Sequence, residues 1–247
     1  MIRVILWVTL RQLLGQRRSI LLLLLAALPI VVAIIFRVAA DATDDPRQFA
    51  AEGLLGGVIV LVLAPLVALV FGTSALGQEL EDGTAIFLLA KPVARWRILV
   101  AKVVAAWLCA AGLAVATVVS SGLIVLVGEP QGRLVPAFAV AVAVESLVYV
   151  ALFVALSARF GRALILGAGY VFIWEAIVAE FAPGAQYLSV RESTLGISDA
   201  IADVAPALFD ARLWLAESAV FLAAVLAAAV GYGIRTLNRL ELAERSA

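Results

Sequence analysis

The 247-residue chain has no histidine, one cysteine (Cys109) and one methionine, and only 15% of its residues are charged. Each shortage excludes a class of chemistry. Without histidine there is no His-ligated haem, no zinc site built on imidazole and no Ser-His or Cys-His dyad. A single cysteine excludes an intramolecular disulfide and a cysteine-held metal cluster. Eighteen basic and eighteen acidic side chains cancel. Nucleic acid is therefore not an expected partner, since binding it takes a surplus of base to neutralise phosphates. No Gly-x-x-x-x-Gly-Lys-Ser/Thr run is present, so the chain lacks the phosphate-cradling loop that would let it use ATP by itself.

Apolar sequence is what it has in abundance. Apolar residues make up 65% of the chain and the mean hydropathy is +1.12, where a soluble domain is about half apolar and about a quarter charged. This is an integral membrane protein with no room for a second soluble domain. Six stretches are long enough to cross a bilayer as helices: Ile20–Phe36, Leu54–Leu76, Val103–Val127, Leu134–Leu156, Ala163–Ala179 and Ser218–Ile234. None shows the alternating polar face of a transmembrane strand. The expected fold is all-α, with six spans making one transmembrane domain over residues 19–247.

The connecting charges orient those spans. Arg3, Arg11, Arg17, Arg18, Lys91, Arg95, Arg97, Lys102, Arg159, Arg162, Arg235, Arg239 and Arg245 all fall on one side if there are six spans. The other side has only Arg37, Arg47, Arg133, Arg191 and Arg212 and holds most of the acids: Asp41, Asp44, Asp45, Glu52, Glu129, Glu192, Asp199, Asp203 and Asp210. The positive-inside rule then puts both termini in the cytoplasm. No cleavable signal peptide is apparent, so the first apolar run reads as a retained span. Sixteen arginines against two lysines, with much Ala and Val, suggest a high-GC bacterial genome, and the expected location is the inner membrane of a bacterial or archaeal cell. Residues 1–18 read as an amphipathic interfacial helix, with Val4, Ile5, Trp7, Val8, Leu10, Leu13 and Leu14 on one face and Trp7 as anchor. The long connection 181–213 carries Ile197, Ile201, Val204 and Leu208 at helical spacing. Pro183-Gly184 marks a turn at its start. Short helices packed on, or dipping into, the outer leaflet are expected there.

Between spans two and three lies the most informative segment, residues 77–97. Glu79, Glu81 and Asp82 come first. Gly83-Thr84 precedes the apolar run Ala85–Ala90, which contains Phe87, Leu88 and Leu89, and Lys91-Pro92 ends it. Thr84 can cap a helix starting near Ala85. Pro92 stops it, because the residue before proline is pushed out of the helical region. The result is a short cytoplasmic helix showing charge and a few large apolar side chains, a surface suited to docking a soluble partner.

The run Glu79-x-Glu81-x-Gly83-Thr84, then Leu88-Leu89, Pro92-Val93-x-Arg95 and Lys102, resembles the signature of the membrane subunits of ABC type 2 exporters. The six spans, the basic amphipathic N-terminus and the long last loop are similar too. The resemblance implies that residues 77–97 form a coupling helix seated in a groove of a cytoplasmic ABC ATPase. Glu79, Glu81, Gly83, Thr84, Phe87, Leu88, Pro92 and Arg95 would be its contact residues. It also implies a dimer of membrane subunits, identical or not, with two ATPase copies. ATP and magnesium would bind on those partners, leaving this chain with no cofactor, metal or catalytic residue of its own. Asp82 and Lys91 have no counterpart in the family pattern.

Acids inside the spans are the remaining candidates. Glu145 lies near mid-depth of the fourth span, where an unpartnered acid costs about 2.5–3.5 kcal/mol. Tyr149 shares its helical face at i+4. Glu145, Tyr149 and Glu175 are candidate lining of a translocation path; inter-helix hydrogen bonding is the plainer role for them. Pro29 and Pro65 can bend their spans. Small residues such as Ala106 and Ala110, or Gly167 and Gly169, permit close helix packing. Three other functions remain open on the residues alone. One is a proton-coupled secondary transporter using Glu145. The second is a membrane enzyme binding a divalent metal at Glu79 and Glu81. The third is a membrane anchor that recruits an ATPase without transporting anything.

Overall fold

The computed structural model describes residues 2–15, 17–39, 45–81, 94–129, 132–182, 184–203 and 209–244. Among them every regular element is helical. In chain order these are α1 (Ile2–Leu14), α2 (Arg17–Ala39), α3 (46–81), α4 (Arg95–Val125), α5 (Leu134–Ser157), α6 (163–181), α7 (Val190–Ala202) and α8 (Leu215–Glu244). A single 3-10 turn, Ala185–Leu188, precedes α7. Six helices are long and apolar enough to cross a membrane, each enclosing most or all of an expected span: Ser19–Ala39, Pro46–Gly77, Arg95–Val125, Leu134–Ser157, Ala163–Phe181 and Leu215–Asn238.

The spans sort into an inner and an outer set. In α3, α4 and α5 the most apolar windows are 67%, 61% and 61% buried; in α2, α6 and α8 they are 22%, 22% and 11% buried. The inner three form the core and the outer three leave most of their apolar surface to the bilayer. α5 is the hub, packing on α3, α4, α7 and α8. The Trp107 indole N–H of α4 donates to the Ala143 carbonyl of α5 at 2.9 Å. Several buried hydroxyls in the core are satisfied locally. Thr73 donates to Leu69 O, Thr117 to Leu113 O and Ser121 to Thr117 O, each one turn back on its own helix. At the end of the bundle that carries the chain termini, α1 packs along α4. Thr9 and Leu13 are buried there while Trp7 stays 60% exposed.

Two spans are not α-helical throughout. α3 starts eight residues before the expected Leu54. Asp45 caps it, its carboxylate accepting from the N–H groups of Arg47 (2.8 Å) and Gln48 (3.4 Å), and Pro46 takes the first position. The sequence hid this start because Arg47 and Glu52 read as loop charge. α3 then runs as a π-helix over Phe49–Leu63 before returning to α over Ala64–Glu81. The wider turn brings each backbone close to the carbonyl five residues back. A Cβ on Gly56 or Gly57 would sit 3.0 Å from the carbonyl oxygens of Ala51 and Glu52, a tight approach that the two glycines avoid. Pro65 lies at the return to α. It has no N–H to extend the i→i−5 ladder, so the proline marks a change of helix type. α6 has the same sandwich: α over Ala163–Gly169, π over Tyr170–Val178, α at Ala179–Phe181. Long π-helices are rare and gather at functional sites.

The connection between α6 and α8 carries a 3-10 turn and the helix α7. Gly184, at φ +83°, makes the turn that aims the chain back. α7 then packs against α5 and α8 with Val190, Glu192, Ser193, Thr194, Gly196, Ile197 and Ser198 buried. Ile197 and Ile201 belong to it, but the helix closes at Ala202 with Asp203 in the left-handed region (φ 48°). Val204 and Leu208 lie outside the described residues.

Candidate functional site

α5 and α6 bring three of the expected path residues together. Glu145 and Tyr149 sit on the same face of α5, both 0% exposed. Neither oxygen of Glu145, nor the hydroxyls of Ser146 and Tyr149, has a hydrogen-bond partner. The Tyr149 ring stacks parallel to Phe153 at 5.8 Å and meets Tyr170 of α6 edge-on at 6.5 Å. Glu145, Glu175 and Arg191 lie within electrostatic reach of one another. These are buried polar groups in an apolar core.

Glu175 is also 0% exposed, but its carboxylate is saturated. Oε1 accepts from the Tyr170 hydroxyl at 2.8 Å and from the Val190 N–H at 3.0 Å. Oε2 accepts from the Ser189 hydroxyl at 2.5 Å and from the Arg191 N–H at 3.4 Å. Val190 and Arg191 open α7, so the acid of one helix caps the N-terminus of the next, where free N–H groups and the helix dipole favour an anion. Ser189 is the residue that caps α7 from its own chain, its Oγ also accepting from Glu192 N–H at 3.1 Å. Ser189-x-x-Glu192 is the spacing of a capping box, and that signal was present in the sequence. Tyr170 and the main-chain donors of α7 carried no comparable signal.

Nearer the far end of the bundle from the termini, a second cluster surrounds Glu180. Its carboxylate accepts from Arg191 Nη1 at 3.0 Å and from Arg212 Nη2 at 3.0 Å. Glu192 Oε1 lies 3.3 Å from Arg191 and 4.0 Å from Arg212. Burial pushes the Glu192 carboxyl above its ordinary value, and the two guanidiniums oppose that shift only in part. These residues, with Glu52, Leu195, Phe209 and Asp210, line an open cavity of about 300 Å³. Glu217, at the start of α8, is exposed.

Of the expected coupling residues, Glu79 and Glu81 fall in the last turn of α3, with side chains outside the described residues. Gly83, Thr84, Phe87, Leu88 and Pro92 lie outside the described residues altogether. Arg95 is the first residue of α4. Among the small residues, Ala106 and Ala110 are fully buried. Gly167 faces α3 and α5, where a Cβ would meet Leu69 Cδ1 and lie 3.0 Å from the Phe153 ring. A Cβ on Gly169 meets nothing within 4 Å, so this glycine serves no close contact.

No curated protein sequence matches the chain. A family model described as ABC-2 family transporter protein matches residues 4–207 of the 247. The match runs from α1 through the segment between α3 and α4 to the end of α7. A multi-pass helical chain with this match is a membrane subunit of an ABC transporter, and such subunits associate with an ABC ATPase. The chain belongs to the ABC-2 family of transporter proteins.

Proposed function

We propose that this subunit couples ATP hydrolysis on a separate ATPase to the efflux of a hydrophobic or lipid-like cargo. The observation that carries the reading is mechanical. α3 runs unbroken as far as Glu81 and α4 begins at Arg95, so the segment between them joins two of the three core helices. A push there moves both rods, and α5 is packed against each. Glu79, Glu81, Gly83, Thr84, Phe87, Leu88, Pro92 and Arg95 are the proposed contacts with the ATPase, the two glutamates meeting basic groups in charge-assisted pairs. Residues 77–97 face the cytoplasm in this reading, as do both termini, and the membrane is the inner membrane of a bacterium or archaeon. α1 lies in the headgroup layer, with the Trp7 ring and the Arg11 guanidinium 5.6 Å above it facing lipid. Two copies of the membrane subunit, or this one and a related chain, pair with two ATPases.

Glu145 and Tyr149 are the proposed residues of the path, opened when α5 moves. Neither the Glu145 carboxylate nor the Tyr149 hydroxyl has a hydrogen-bond partner in this arrangement, and hydration or cargo would supply one. The test is to purify the protein from its native membrane in mild detergent and identify the proteins that accompany it. A nucleotide-binding subunit should co-purify, and Glu81→Arg should remove it while the protein still inserts. Absence of any ATPase in the wild-type sample overturns the reading. A proton-coupled carrier would then be the reading to test, with loss of transport in Glu145→Gln as its signature.

A further inference from the structure

The π-helical stretch of α6 puts residues five apart on one face. In an α-helix, positions i and i+5 point well away from each other, because the turn holds 3.6 residues. In the wider turn they align, which is why the Tyr170 hydroxyl reaches the Glu175 carboxylate at 2.8 Å. Glu180 lies past the π-turns, in the closing α-turn of α6, and reaches Arg191 and Arg212. Glu175 and Glu180 thus both meet the start of α7, with Tyr170 bracing Glu175 from its own helix. The two acids hold α7 differently. Glu175 is sealed from water and holds the main-chain donors at the start of the helix. Glu180 is 35% exposed and holds only flexible guanidiniums, one of which, Arg212, belongs to the approach to α8.

We propose that Glu175 is a positioning residue for transport: its buried cap on α7, set in register by the π-turn, makes the fifth span and α7 one moving body, while the Glu180–Arg191–Arg212 clamp is the separable joint to α8. A buried, charge-assisted cap has no water to replace its lost donors when it opens. A half-exposed arginine clamp exchanges its partners for water at little cost. Any movement that opens the far end of the bundle therefore breaks the outer clamp first and leaves the inner cap intact. Because α7 also packs on α5, displacement of the core reaches the lipid-facing fifth span through this cap. The motion itself rests on the ATP-coupled reading above; the positioning role does not.

The experiment is amide hydrogen exchange on the membrane subunit in complex with its ATPase, in lipid nanodiscs, following Val190 and Arg191 with residues 100–110 of α4 as the internal reference. Glu175→Gln should speed exchange at Val190 and Arg191 about tenfold or more, the loss expected for bonds to a charged acceptor, and leave α4 unchanged. Glu175→Asp should restore part of the protection. Glu180→Gln should leave both amides within about twofold of wild type, as expected for an exposed pair. Unchanged exchange in Glu175→Gln, or equal acceleration in Glu180→Gln, overturns the proposal. If Glu175→Gln does not fold, Tyr170→Phe removes one donor only and should still give a several-fold acceleration; no change in that variant overturns the proposal equally. In wild-type complex trapped with ATP and vanadate, Val190 and Arg191 should keep their protection, and faster exchange there overturns the single-body claim. If no peptide anywhere in the complex responds to nucleotide, the ATP-coupled reading fails, while the variant comparison still decides the role of Glu175.

Discussion

Glu145 and Glu175 are both fully buried acids in apolar spans, within electrostatic reach of each other, yet their surroundings are opposite. Glu175 receives four hydrogen bonds, two of them from the main chain of α7. Glu145 receives none. The difference comes from what each helix faces. α6 meets the start of another helix, whose first N–H groups have no partner within the helix. On α5 no such N–H group reaches Glu145. A helix start offers a buried carboxylate main-chain donors that the middle of a helix, its N–H groups already bonded, does not. An acid that folding supplies with donors is part of the scaffold. One that folding leaves bare inside the membrane is costly to keep, and it marks the place where another state of the protein, hydrated or loaded, has something to offer.

The contrast can be broken by mutation. The largest effect is expected from Glu175→Ala, which orphans the donors of α7 and should cost about 3 kcal/mol. A melting temperature in detergent lower by about 6–12 °C is the matching readout; an unchanged value would mean that α7 is held by packing alone. Next is Gly167→Ala. Its methyl would collide with Leu69 at the seat of α6 on the core, and overpacking of this kind costs about 1–3 kcal/mol. Gly169→Ala, with open space at its Cβ, is the control and should melt with wild type. If both glycines tolerate alanine equally, α6 is not seated where the structure has it. Arg212→Ala comes third. It cuts an exposed half of the outer clamp and should cost about 0.2–1 kcal/mol, with the loss shrinking in high salt.

Glu192→Gln should show a smaller, pH-dependent effect. The folded protein holds the Glu192 proton more tightly than the unfolded chain does, because burial raises its carboxyl above the ordinary value. Its contribution to stability is therefore present in full below the ordinary carboxylate range and is lost as pH rises through the raised value. The amide cannot ionise, so the variant should gain on wild type as pH is raised from about 4 to 8. Parallel melting curves across that range would rule this out. The smallest effect on stability is expected from Glu145→Gln. No hydrogen bond is there to lose, and the melting temperature should stay within about 1 °C of wild type or rise. A marked drop would show that Glu145 has a partner in the folded protein and would erase its contrast with Glu175. Transport by this variant then reports on the path with stability held constant.

Much of this could be read directly from residues. The six spans follow from runs of apolar side chains longer than the hydrocarbon core, and local composition is enough to fix them. The start of α3 was harder. Asp45-Pro46 is a legible cap, yet Arg47 and Glu52 made the next turn look like loop, and a membrane helix tolerates such charge near its end. The helical spacing of Ile197 and Ile201 found α7, but periodicity could not show that Asp203 turns left-handed and closes it.

Sequence alone determined that the chain is a six-span membrane protein and, through the run from Glu79 to Lys102, which kind of transporter it resembles. Those properties depend on residues close together in the chain, summed over a window. Only the tertiary structure decided which acids are scaffold. Whether a buried carboxylate finds donors depends on the helix end that another part of the chain brings to it, and on a π-turn that aligns residues five apart. Neither is written in the identity of the acid, and Glu145 and Glu175 are the same residue in two different solvents.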